Sequence, residues 1–107
     1  MSVPFPSSLR ARETVRLADA GVPVMTVRVQ MPETWDVVRF DAPPTTSVRT
    51  LKLQALDRLE PDALFPEDYV MKLRGWEVLD ESASIADVGA ANGSTFLLTY
   101  SRRRPVR

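Results

Sequence analysis

The 107-residue chain has no cysteine, no histidine and only four glycines. Without thiols it can form neither a disulfide nor a thiolate nucleophile, and without imidazole it lacks the usual neutral-pH general base and the commonest zinc ligand. A serine hydroxyl has no base to activate it, so no catalytic triad is available. No stretch of about eighteen apolar residues exists to span a bilayer. The first residues lack the apolar segment of a secretory leader, so a cytoplasmic location is expected. Glycine is too sparse for a flexible linker, and no glycine-rich loop exists to cradle a phosphate. These absences lead us to expect no catalysis, no cofactor, no metal and no small-molecule substrate. What remains is ordinary globular composition, 44% hydrophobic and 26% charged, enough for one small domain.

Formal net charge is zero, but it is unevenly spread. Residues 23–100 carry seven basic and twelve acidic side chains. The end of the sequence, SRRRPVR, holds Arg102, Arg103, Arg104 and Arg107. An acidic body with a basic tail is a poor nucleic-acid-binding domain, which needs its basic face on the folded part. The tail alone can meet phosphates or acidic lipids. Twelve of the fourteen basic residues are arginine, which suits a GC-rich, bacterial coding sequence.

Residues 1–23 read as an N-terminal arm. Ser8 can cap a short helix through Ala20, stopped by Gly21 and Pro23. Met25–Met31 alternates strictly, with Met25, Val27, Val29 and Met31 on one face and Thr26, Arg28 and Gln30 on the other: a half-buried strand. Pro32-Glu33-Thr34 turns the chain. Trp35–Phe40 returns as a second strand, with Val38 and Phe40 inward and Trp35, Val37 and Arg39 outward. Ser47 is placed to cap a helix over 48–59, whose stripe is Val48, Leu51, Ala55, Leu56 and Leu59. Leu64 and Phe65 are expected to tuck under the proline-bearing loop that follows. Tyr69–Arg74 is a third strand with Tyr69, Met71 and Leu73 inward, and 77–79 a short fourth. Ser84–Val88 suits one helical turn and Ala91-Asn-Gly93 a tight turn. Ser94–Tyr100 closes the chain as a last strand, with Phe96, Leu98 and Tyr100 inward.

The order strand-strand-helix-strand-short strand-strand gives an α+β domain over residues 24–100: a mixed sheet of four to five strands with one helix packed across it, first and last strands parallel at the centre. Here the chain resembles the ubiquitin-like β-grasp family. The run Val78-Leu-Asp-Glu-Ser-Ala-Ser-Ile-Ala-Asp-Val-Gly-Ala-Ala-Asn-Gly-Ser-Thr-Phe-Leu-Leu98 is similar to ubiquitin's passage from its short fourth strand to its last. The resemblance implies a buried lysine on the helix, matched by Lys52, paired with Asp80 or Glu81. Ubiquitin and the bacterial sulfur carriers act through a C-terminal Gly-Gly. Here the sequence ends Arg-Pro-Val-Arg, and Gly21, Gly75, Gly89 and Gly93 are never adjacent. Conjugation and sulfur carriage are therefore disfavoured. Relatives without Gly-Gly, such as the YukD-like accessory proteins of type VII secretion, act by binding larger proteins.

The expected function is thus non-covalent binding of another protein by a small accessory or adaptor subunit. The resemblance places the docking surface on the outer sheet face at Arg74, Trp76, Leu97 and Thr99. Trp35 and Val37 lie on an edge strand open to a partner's strand. The alternative is anion binding by the tail arginines, with a protein modifier third. The acidic pairs Asp80-Glu81 and Glu67-Asp68 read as turn residues.

Overall fold

The structure, a computed structural model, describes residues 14–63 and 65–100. Its elements are β1 (Thr14–Arg16), β2 (Met25–Met31), β3 (Asp36–Ala42), α1 (Val48–Leu59), a 3₁₀ turn (Pro66–Asp68), β4 (Tyr69–Leu73), β5 (Trp76–Glu77) and β6 (Thr95–Tyr100). The alternating pattern of β2 becomes a strand whose odd-numbered residues from Val27 to Met31 are buried. Strand β3 runs two residues past Phe40, because Asp41 and Ala42 still pair with Thr26 and Met25.

The sheet order is β1-β3-β2-β6-β4-β5. Strands β2 and β6 lie side by side and parallel, as expected, with Val29 opposite Phe96. The sheet has six strands, not four or five. The added one corrects the expected helix of the arm: Thr14–Arg16 pairs parallel with Arg39–Asp41 of β3. Val15, opposite Phe40, packs against the core, so one apolar residue on the right face secured this segment as a strand. The residues before Thr14 lie outside those described.

One face of the sheet carries α1. Val48, Leu51, Ala55 and Leu56 are buried against Val27, Val29, Phe40, Met71, Phe96 and Leu98, with Leu59 half-buried at the margin. Large aliphatics buried this way contribute roughly 1.5–3 kcal/mol each. The helix start is fully satisfied. The Thr50 amide donates to Ser47 Oγ at 3.0 Å, Val48 and Arg49 donate to the carbonyls of Ala83 and Glu81, and Leu51 donates to that of Ser47. The 80–86 loop therefore straps the helix end. The short strand expected over 77–79 forms one residue earlier, as β5 at Trp76–Glu77, and the chain bends at Leu79. Ser84–Val88 makes the single helical turn expected there: the Val88 amide donates to the Ser84 carbonyl four residues back, and the Asp87 amide to Ser84 Oγ. Phe65 is exposed, not tucked under its loop, and Leu64 lies outside the described residues. Tyr100 is half-exposed at the sheet's end, its ring edge-on to Tyr69 at 5.2 Å.

Trp35 is not in β3 but in the four-residue turn before it, at φ 63. Its amide and that of Thr34 both donate to the Met31 carbonyl, which forces the last turn residue into the left-handed region. That conformation costs a non-glycine residue about 1–2 kcal/mol, and the ring recovers little because it is 81% exposed. Trp35→Gly is expected to leave stability unchanged or raise it by up to about 1 kcal/mol. A denaturant midpoint that falls would show that the exposed ring holds the hairpin.

Candidate protein-binding surfaces

The β4–β5 hairpin decides where the expected contact residues go. Arg74 and Gly75 have φ 54 and 85, and they form a two-residue turn of the kind that matches strand twist. Leu73 therefore pairs with Trp76, and Lys72 with Glu77. Directly paired residues share a face, so Trp76 stands on the helix side with Leu73. Lys72 and Glu77 stand on the outer side.

This separates the four expected residues. Leu97 and Thr99 are on the outer face as expected, half-buried, opposite Lys72 and Val70. Trp76 is on the other side of the sheet edge, 78% exposed. Arg74 is on neither face: it occupies the turn, and its Nη2 donates to the Gly89 carbonyl at 2.7 Å. The register expected for β4 had the inward residues right but continued the strand one residue too far. The outer-face positions of β4 are Val70 and Lys72, opposite Thr99 and Leu97; the Arg-Gly turn pair is the sequence signal for them.

Trp76 instead rims an open groove of about 370 Å³, lined by Leu73, Val78, Leu79, Ala83 and Val88, with Arg74, Glu77 and Asp80 as its polar lining. Leu79 is 86% exposed. Two large apolar side chains in water beside an apolar groove are the kind of surface that marks a contact site. Asp80 is fixed at this rim by Ser82, whose hydroxyl and amide both donate to its carboxylate; this pair of bonds holds its pKa below the ordinary value. At the other end of the sheet the Tyr69 phenol is pushed up, first by burial and then by the nearby Glu60 carboxylate.

The second expected surface is also altered. Strand β1 covers β3 at Arg39–Asp41, so only the Asp36–Val38 part of that edge has no partner strand among the described residues. Val37 is half-buried on the outer face, opposite Gln30. Trp35 is at the hairpin tip and contributes no strand edge. The tail arginines Arg102, Arg103, Arg104 and Arg107 lie outside the described residues. Between the two candidates offered for Lys52, the partner is Glu81: Nζ lies 2.7 Å and 2.9 Å from its carboxylate oxygens and 3.0 Å from the Tyr69 carbonyl. The pair sits under the strap and is structural. Among the described residues no cluster of three or more acidic side chains is placed to hold a metal, and no helix is long and apolar enough to cross a membrane.

Solved structures share this fold. The ubiquitin-like domain of an Arabidopsis thaliana protein aligns over 85% of this chain and 92% of its own length, at TM-score 0.62 and 16% identity. Ubiquitin of Caldiarchaeum subterraneum aligns over 78% of this chain and 96% of its own, at TM-score 0.63 and 15% identity.

The fold is ubiquitin-like.

The N-terminal ubiquitin-like domain of a further protein agrees, at TM-score 0.62 and 19% identity over 84% of this chain and 88% of that one. The chain matches no protein-family model and no curated protein. At these identities the likeness is one of fold, and function has to be argued from the surfaces that this ubiquitin-like frame displays.

Proposed function

We propose that this chain is a non-covalent protein-interaction module, a small cytoplasmic accessory or adaptor subunit of a larger bacterial assembly, of the kind to which YukD-like proteins belong. The observation that carries the reading is that Trp76 and Leu79, both lining the groove at the β5 edge, stand in solvent. The groove suits an aliphatic or aromatic side chain of a partner protein, seated on Leu73, Val78 and Val88, with Trp76 closing over it. Tryptophan is enriched among residues that dominate binding energy, where truncation commonly costs 2 kcal/mol or more. Leu97 and Thr99 are kept as a second contact on the outer face. A partner touching both must wrap the β4–β5 edge.

The test is a titration with the partner recovered by in-cell crosslinking. Trp76→Ala is expected to weaken binding roughly thirtyfold without lowering the melting temperature. Leu97→Asp then reports whether the outer face belongs to the same interface. A partner bound equally well by the Trp76→Ala protein would remove the groove from the proposal. No observation on the described residues favours the anion-binding alternative or the modifier.

A further inference from the structure

The outer sheet face holds a charge conflict. Arg28 of β2 and Arg39 of β3 are directly opposite one another. The Arg28 amide donates to the Ser94 carbonyl, so its backbone groups point toward β6 and away from β3. The arginine pair is therefore of the non-hydrogen-bonded kind, in which facing side chains come closest. Like charges so placed repel.

Among the described residues, neighbouring groups do not relieve it. Both arginines are exposed, and among the described residues neither makes a salt bridge. Arg28 has a 3.4 Å contact with Thr95 Oγ1. Asp41, the carboxylate nearest along β3 on this face, accepts a 2.6 Å hydrogen bond from Thr26. The Arg16 guanidinium is turned to the carbonyls of Ala18, Asp19 and Val22. Lys72 already faces Glu77 across β4–β5. Beside the arginines, the next row across the sheet is Val37, Gln30, Leu97 and Lys72.

We propose that this face takes an acidic polypeptide segment, whose carboxylates bridge Arg28 and Arg39 while its apolar side chains rest on Val37 and Leu97. Guanidinium forks pair with carboxylates in two-bond geometry, and two of them side by side fit two carboxylates or one shared between them. The repulsion present in the free protein is cancelled on binding. A nucleic acid is the poorer fit, because it needs a longer track of cations than this one pair supplies. This surface is separate from the Trp76 groove and does not depend on it. It shares with that reading a polypeptide ligand and Leu97, the second contact on the outer face.

The probes are three synthetic peptides with identical leucines and valines, carrying Glu, Gln or Lys at the alternate positions. The expected result is binding of the Glu peptide, with backbone amide NMR shifts at Arg28, Arg39 and Leu97, and at least tenfold weaker binding in high salt or of the Gln peptide. Arg28→Glu/Arg39→Glu exchanges one like-charged pair for another, so it keeps the fold while switching preference to the Lys peptide. Arg39→Glu alone is expected to raise the melting temperature by a few degrees, roughly 2–5 °C, because the pair then attracts. Equal binding of Glu and Gln peptides, shifts confined to the Trp76 groove, no binding of the Glu peptide, or tighter binding of single-stranded DNA than of the Glu peptide would each overturn the proposal. None of these outcomes bears on the effect of Trp76→Ala, so the two readings fail separately.

Discussion

Glu81→Ala is expected to destabilise the protein by about 3 kcal/mol, lowering the melting temperature by roughly 15 °C. The reason is what it leaves behind. Lys52 is only 3% exposed and its ammonium is held by the Glu81 carboxylate and the Tyr69 carbonyl. With the carboxylate gone, a buried cation keeps one neutral acceptor. Replacing both partners with apolar residues of similar volume removes the charge along with its partner. Lys52→Met/Glu81→Leu is therefore expected to come within about 1 kcal/mol of the parent. Denaturant melts of the single and double variants check this. If the double variant is as unstable as the single one, the pair acts through packing of the strap and not through charge.

Phe40→Ala is expected to cost about 3–5 kcal/mol, a large part of what a domain of this size has. Phe40 is fully buried, lies between Val27 of β2 and Val15 of β1 in the sheet, and faces the helix. Its loss opens a cavity that three elements border. Phe40→Leu fills most of that space and is expected to recover more than half of the stability. An unfolding midpoint for Phe40→Ala within 1 kcal/mol of the parent would contradict the packing described. Trp35, five residues earlier and aromatic too, is predicted to do the opposite, which makes the two a paired test of burial against backbone strain.

The legible parts of this sequence were those where side-chain period and local chemistry agree. Met25–Met31 showed its strand because every second residue is apolar, and α1 showed its bounds because Ser47 caps it and the proline-bearing loop after Leu59 stops it. Lys52 was legible only through the family resemblance, since one lysine on an amphipathic helix otherwise reads as solvated. The expected docking surface was less legible, and for a definite reason. Whether Trp76 points up or down depends on the number of residues in the preceding turn, and a change of one reverses the face. The strand Thr14–Arg16 was hidden because three residues are too few for a period and the surrounding text, from Ser8 to Ala20, has passable helical composition. The outward positions of Arg28 and Arg39 were each visible; their meeting was not, because it depends on the register of the hairpin.

The parallel pairing of β2 with β6 also dictates when the molecule can fold. The two central strands are neighbours in space but lie at opposite ends of the described chain, Arg28 against Thr95. During synthesis the β2–β3 hairpin and α1 can form early from local contacts, but they have no sheet centre to close on. Val29, Phe40 and Leu51 stay exposed to water until Phe96 and Leu98 have left the ribosome. A nascent chain halted before Thr95 thus lacks the strand that covers these side chains in the finished sheet.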